Sequence, residues 1–353
     1  MPFTPRYSIT NATATNLAKI ERARGFLEGA TLSDEWIKRM GRRALLLEAH
    51  HTTHIEGTQL TIDQAAQLWE GVDVKNVNPD DRRELLNYRN AFDLVASSLA
   101  EGEPITETLI RAIHAELVAG VRGGEGAPGA YRTIQNHVAD AVTGRIIYTP
   151  PPPHDVGPLM QEFVAWLRDP GDVHRVLVAG IAQFQLVHIH PFVDGNGRTS
   201  RLLSTLVLYQ AGYDFKRLFT ISEFYDRDRA AFYSAIQQVR EADMDLSGWI
   251  EYFVHGLSTQ LVEVQDRSKA ALGTEQLGRQ HNLTPRQVSV LDELLARDHA
   301  GIDELAIAFP NVSRRTLQRD LATLLDAALI TTTGDRTDPT RRYRAHRPSC
   351  DKL

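Results

Sequence analysis

Residues 190–201 read HPFVDGNGRTSR between two stretches of helical periodicity, and this run constrains the fold more than any other part of the chain. Upstream, Val176, Leu177, Gly180, Ile181, Phe184 and Val187 recur at helical steps; downstream, Leu202, Leu203, Leu206, Val207 and Tyr209 do the same before Gly212. The run therefore predicts a helix-loop-helix. Gly195 and Gly197 let the backbone bring its N–H groups close to an anion. The second helix opens near Asn196 to Arg198 and offers that anion its unpaired N–H donors. Arg198 and Arg201, three apart, supply two guanidinium forks for phosphate oxygens. Asp194 beside such a cradle would repel phosphate unless a cation lay between, and Mg²⁺ is the natural one. His190 enters the same loop, placed to take a proton from an incoming hydroxyl.

The run matches the H-P-F-x-[DE]-G-N-G-R-x-x-R signature of the Fic family, and the chain resembles a Fic adenylyltransferase. The resemblance implies transfer of AMP from ATP to a Ser, Thr or Tyr hydroxyl of a target protein or of the chain itself. It implies His190 as base, Asp194 on Mg²⁺, and Gly195, Asn196, Gly197, Arg198, Thr199, Ser200 and Arg201 around the ATP phosphates. Phe192 would anchor the loop. Kinase-like relatives carry lysine at the second glycine; Gly197 favours AMP over phosphate transfer.

Residues 33–56 predict a helix with Ser33 as N-cap, Trp36, Met40, Ala44, Leu47, His51 and Ile55 on one face, and Gly57 as stop. Its end, Thr52-x-x-x-Glu56-Gly57, is similar to the inhibitory motif of many Fic proteins. There a glutamate competes with the γ-phosphate for the second signature arginine, here Arg201. A bidentate pair between Glu56 and Arg201 would misalign the α-phosphate, and an error of about 1 Å costs ~10²-fold in rate. Relatives also suggest that Glu56 positions water to remove AMP again.

Other readings compete. His50, His51 and His54, and His188-x-His190 with Asp194, have spacings suited to zinc or iron in a phosphohydrolase, but that reading leaves the arginines and glycines without a role. Val138–Val142 and Ile146–Tyr148 predict a short hairpin whose edge would take a target strand. Fic proteins carry a flap there, with Val138 as a nucleotide contact. Four prolines, Pro150 to Pro153, precede a helix expected from Pro158. Phe232 and Tyr233, on a helix expected from Asp226, resemble the aromatic pair at the adenine pocket of relatives, although aromatics at helical spacing also pack in cores.

Further helices are expected from Thr61, Asp81, Thr106, Asp172 and Ser247. The fold class is mainly α: a Fic-type bundle with a hairpin flap and a C-terminal winged helix. The division is an N-terminal helical region over 1–95, a core over 96–265, a linker over 266–281 and the winged helix over 282–347. In the last, Thr284 caps one helix, a second covers Ile302 to Phe309, and Ser313 caps a recognition helix with Arg315, Gln318 and Arg319 on its outer face. Residues 313–346 hold seven arginines and four acidic residues, net +3, in a chain of net charge −6. Such a patch suits DNA, giving the rival reading of a DNA-binding regulator with a nucleotide-sensing core. It equally suits protein docking.

A single cysteine, Cys350, excludes an intramolecular disulfide. With 42% hydrophobic and 24% charged residues, no membrane-length apolar run and no signal-peptide pattern, a cytoplasmic protein is expected. Regulated relatives often pair, so the resemblance admits a homodimer.

Overall fold

The computed structural model describes residues 2–121, 127–139, 143–297, 299–333 and 341–346. Most of these are helical, and the chain divides into two compact units: residues 1–28 with 40–262, and residues 29–39 with 263–353.

The first unit opens with α1 (Asn11–Gly29) and most of α2 (Asp34–Ile55), then α3 (Ile62–Trp69), α4 (Pro79–Glu101) and α5 (Glu107–Leu117). Thr61 heads α3 with a capping box, as its sequence predicts, and Thr106 caps α5. Strands β1 (Val138–Ala139) and β2 (Ile146–Tyr148) form the expected antiparallel hairpin, Val138 opposite Tyr148; residues 140–142 of the expected first strand lie outside the described residues. Then come α6 (Pro153–Arg168), α7 (Arg175–Ile189), α8 (Asn196–Gln210), α9 (Ile221–Arg227), α10 (Arg229–Glu241) and α11 (Ser247–Gln280).

The core lies around α7, which is buried almost all round from Val176 to Leu186, as a helix apolar on every side must be. It packs on α8, which also meets α4 and α5. Gly180 lets α11 close on α7: a Cβ there would lie 2.8 Å from the Phe253 ring, and Trp249 Nε1 donates to the Gly180 carbonyl at 2.7 Å.

Three expectations shift. Helix α6 starts at Pro153, not Pro158, because a proline in the first turn gives up an N–H that has no helical partner anyway. Helix α4 begins at Pro79 behind Asn78 and runs unbroken through the boundary expected at 95/96. The expected linker over 266–281 is helical to Gln280: Ser268, Ala271 and Thr274 are buried at spacing three, and the two hydroxyls return to the carbonyls of Val264 and Ala270.

The second unit holds α12 (Pro285–Ala296), β3 (Ala300–Gly301), α13 (Ile302–Ala308), α14 (Arg314–Asp326), β4 (Ile330–Thr333) and β5 (Arg342–Ala345). The strands form an antiparallel sheet in the order β3, β5, β4, with Tyr343 between Ala300 and Thr332. Leu291, Leu294, Leu305, Leu317, Leu321 and Leu324 fill its core. Caps at Thr284 and Ser313 fall where the sequence places them; β3 was not expected, and residues 334–340, between β4 and β5, lie outside the described residues.

Candidate functional site

The site is built where α7 gives way to α8. His190 ends α7 in the left-handed region, φ 52°, and Gly195 heads α8 at φ 75°. A Cβ on Gly195 would lie 2.7 Å from Val118 Cγ1, so both its dihedral and its surroundings require glycine. Thr199 N is the first helical donor to find a carbonyl, that of Gly195, at 3.0 Å. The N–H groups of Asn196, Gly197 and Arg198 precede it and face outward as the first donors of a helix do.

His190 Nδ1 lies 3.2 Å from the Val187 carbonyl, which can only accept, so Nδ1 carries the proton and Nε2 keeps its lone pair. Burial pushes the imidazole down to about 4; the Val187 bond and Glu56 oppose this, while Arg240 and Arg132 add to it. His190 is thus neutral at pH 7. Asp194 is 49% exposed, its Oδ1 accepting from Gly195 N at 2.6 Å and its Oδ2 lying 3.9 Å from Arg198. A half-exposed carboxylate beside helix donors fits a cation held mainly by substrate phosphates.

The remaining signature residues divide their work. Asn196 brackets Phe192, its Oδ1 accepting from Phe192 N and its Nδ2 donating to Phe192 O, so it fastens the loop. The hydroxyls of Thr199 and Ser200, both buried, return to the carbonyls of Gly195 and Gly197; they finish the first turn instead of projecting from it. Arg198 Nη1 meets Glu84 Oε2 of α4 at 3.0 Å, with the two side chains only 3% and 2% exposed.

Arg201 is held from the end of α2. Its Nη2 meets Glu56 Oε1 at 2.6 Å and the Thr52 carbonyl at 3.0 Å, and its Nε donates to Thr52 Oγ1 at 2.6 Å. The fork is therefore shared between Glu56 and Thr52; the expected bidentate pair with the carboxylate does not form. Burial pushes the Glu56 carboxyl up, but Arg201 and Arg198 outweigh it and hold the group below its usual range. Glu56 comes so near α8 that a Cβ on Gly197 would sit 2.3 Å from its Oε1.

Several residues at the site escaped the sequence. His114 stacks on Phe192 at 3.7 Å, lies 3.0 Å from the Asp194 carbonyl through Nε2 and accepts from Gly129 N through Nδ1. It ties the signature loop to the segment before the hairpin, and burial pushes it down to about 4. Arg132, within the GAYR segment, donates to the carbonyls of His190, Ile189 and Pro151, satisfying the end of α7. Glu84 has no local signal, being one acid on a helix rich in them.

Phe232 does not face a pocket: it is 2% exposed, stacked on Tyr225 at 4.4 Å and packed on Trp249, so the core claims it. Tyr233 beside it is 47% exposed. Val138 stands half-buried on β1. His51 and His54 both bond Asp226, which Arg229 also joins, and His188 Nδ1 bonds the Tyr148 hydroxyl. Among the described residues, no three histidines, cysteines or acids are arranged to hold a metal, against the phosphohydrolase reading. In the second unit Arg315, Gln318 and Arg319 are exposed along one face of α14.

A neutral histidine, a glycine-led helix N-terminus and two buried arginines thus come together in one helical site. Residues 104–208 match the Fic/DOC family, so this stretch of the chain is similar to a Fic domain. It is 35% identical over 202 residues to a Drosophila ananassae protein named protein adenylyltransferase Fic, covering 56% of this chain and 38% of that one. The Drosophila erecta protein of the same name is 33% identical over 210 residues, covering 58% and 40%. The chain thus spans about two fifths of the length of these relatives. Among solved structures, a Fic family protein from Desulfovibrio desulfuricans G20 shares the fold over 98% of both chains, with TM-score 0.66 and 21% identity. Fic-1 from C. elegans aligns over 74% of each, with TM-score 0.60 and 22% identity. The reading as a DNA-binding regulator gains no support from these names. Among the described residues no helix is long and apolar enough to cross a membrane.

Proposed function

We propose that the protein is a cytoplasmic adenylyltransferase that moves AMP from ATP to a Ser, Thr or Tyr hydroxyl of a protein and is restrained by Glu56. One observation carries the reading: Glu56 occupies Arg201, at 2.6 Å, on the helix whose N-terminus forms the cradle beside neutral His190. The target oxygen attacks the α-phosphorus, the bond from that phosphorus to the pyrophosphate oxygen breaks, and the hydroxyl proton passes to His190 Nε2. Pyrophosphate leaves. Mg²⁺ on Asp194 would neutralise charge on the phosphates. The donors of Asn196, Gly197 and Arg198 receive phosphate oxygens, and Arg201 takes the outermost phosphate once Glu56 yields it.

The free edge of the hairpin suits a target strand added by main-chain hydrogen bonds. Glu56 Oε2 accepts no hydrogen bond among the described residues, and the side chain is 27% exposed, which supports the added reading that it orients water for removal of AMP.

The test is label transfer to protein from ATP labelled at the α- or the γ-phosphate, with wild type, Glu56→Gly and Glu56→Gly/His190→Ala. Label from the α position, raised at least about 10²-fold by Glu56→Gly and lost in the double variant, is expected. Label from the γ position alone would make the protein a kinase, and none from either would end the reading.

A further inference from the structure

Strand β2 ends at Tyr148, whose hydroxyl lies 2.8 Å from the carbonyl of His188 and 2.9 Å from its Nδ1. A carbonyl can only accept, so the Tyr148 hydroxyl donates to it and Nδ1–H of His188 donates back to the hydroxyl oxygen. That carbonyl belongs to the last turn of α7, where helices leave carbonyls unpaired, and His190 follows two residues later. Over the ring of Tyr148 stands Arg240, from the last turn of α10, its Cζ 3.3 Å from the ring centroid. Three elements thus meet beside the base: the hairpin, α7 and α10.

Arg240, half-buried, is an odd residue to place here. Its Nη1 reaches only Gln237 Oε1 at 3.2 Å, its Nε is buried without a partner, and among the described residues no carboxylate pairs with it. Burial pushes its guanidinium down to about 10. A cation partly withdrawn from water without a counter-ion costs stability, and an apolar side chain of similar volume would fill the space over a tyrosine ring without that cost. The charge therefore has a use, and the groups around it show which. Three charged side chains bear on His190: Arg240 from α10, Arg132 from the segment before β1 and Glu56 from beyond α2, while Tyr148 from β2 and His188 bond each other two residues away. The two cations disfavour a proton on the imidazole, and Glu56 favours one.

We infer that Arg240 is a positioning residue for His190: stacked on Tyr148, it holds the end of the hairpin against the last turn of α7, and its fixed charge adds to burial in disfavouring a proton on the imidazole. The inference rests on the reading of His190 as base, so one measurement is independent of transfer. The ring of His190, assigned by its loss in Glu56→Gly/His190→Ala, is titrated by NMR in the Glu56→Gly protein and with Arg240→Gln, Arg240→Lys or Tyr148→Phe added.

Arg240→Gln raises the midpoint of His190 by about half a unit at low salt, and less as salt is added. Arg240→Lys and Tyr148→Phe, which keep the charge, leave the midpoint in place. In α-label transfer, Arg240→Gln moves the acid limb of the pH profile by the same amount. All three variants lower kcat about tenfold at pH 8 with KM for ATP unchanged, since they loosen a base that must be aligned. An unmoved midpoint in folded Arg240→Gln overturns the electrostatic part. Should that variant not fold, full kcat in Arg240→Lys and Tyr148→Phe overturns the stacking part, and a raised KM with kcat intact makes Arg240 a nucleotide ligand instead. If no variant transfers label yet the midpoint moves, the inference about Arg240 stands and adenylyl transfer falls.

Discussion

Arg198 and Arg201 leave α8 three residues apart, each meets a glutamate, and the two pairs are built on different plans. Glu84 stands within α4, and its pair with Arg198 is 2% and 3% exposed. Glu56 stands past the end of α2, at a turn closed by Gly57 with φ 109°, and is 27% exposed. Water reaches one pair and not the other. Beyond Glu84, Arg198 has among the described residues only Asp194 within ion-pair distance, at 3.9 Å, whereas Arg201 keeps two bonds to Thr52 when Glu56 departs. A buried pair with both members on helices holds a shape; one with a member on a solvent-facing turn can be exchanged for another anion.

The largest break in that comparison is Glu84→Gln, which strands Arg198 and costs about 3–5 kcal/mol in denaturant unfolding. Glu56→Gln should cost under half as much; equal losses would show that both pairs are structural. Acid comes next. His114 sits near 4 when folded against an ordinary 6.5, so the unfolded chain takes its proton first, and stability falls as pH drops from 6.5 towards 4. The loss reaches about 3 kcal/mol for this residue, and His114→Gln should flatten that slope. Glu56 has the same sign in a lower window: its folded value lies below the usual 4.5, so its contribution is complete above 4.5 and is lost only as pH falls through the lower value. Restraint should therefore persist through the whole range in which His114 destabilises the fold, as label transfer at each pH would show.

Gly197→Ala sharpens the comparison further. With Glu56 present the added methyl meets its carboxylate, and the strain of about 2 kcal/mol should vanish in the Glu56→Gly background; an undiminished penalty would mean that the two are not in contact. Thr52→Val is the mildest case. It removes one hydroxyl from Arg201, costs about 1 kcal/mol, and should raise transfer only several-fold.

Local chemistry was legible in the sequence, and distant pairing was not. The caps at Thr61, Thr106, Thr284 and Ser313, and the start of α8, depend on residues within four positions and fall where the pattern puts them. Glu56 on Arg201 spans 145 positions and was legible only through a motif. Glu84, His114 and Arg240 act across the fold with no motif, each reading as an ordinary polar residue on an amphipathic helix. The stretch 266–281 misled because a polar helix with small buried residues looks like a linker. Phe232 misled because its ring suits a ligand and a core equally, and Trp249 and Tyr225 settle the choice.

The absence of a Cβ at Gly197 has a consequence for how such a chain drifts. A side chain there meets the Glu56 carboxylate, so a larger residue in place of this glycine must push that flexible side chain aside and loosen its hold on Arg201. Remodelling the cradle and relaxing the restraint are therefore coupled: either change makes the other less costly.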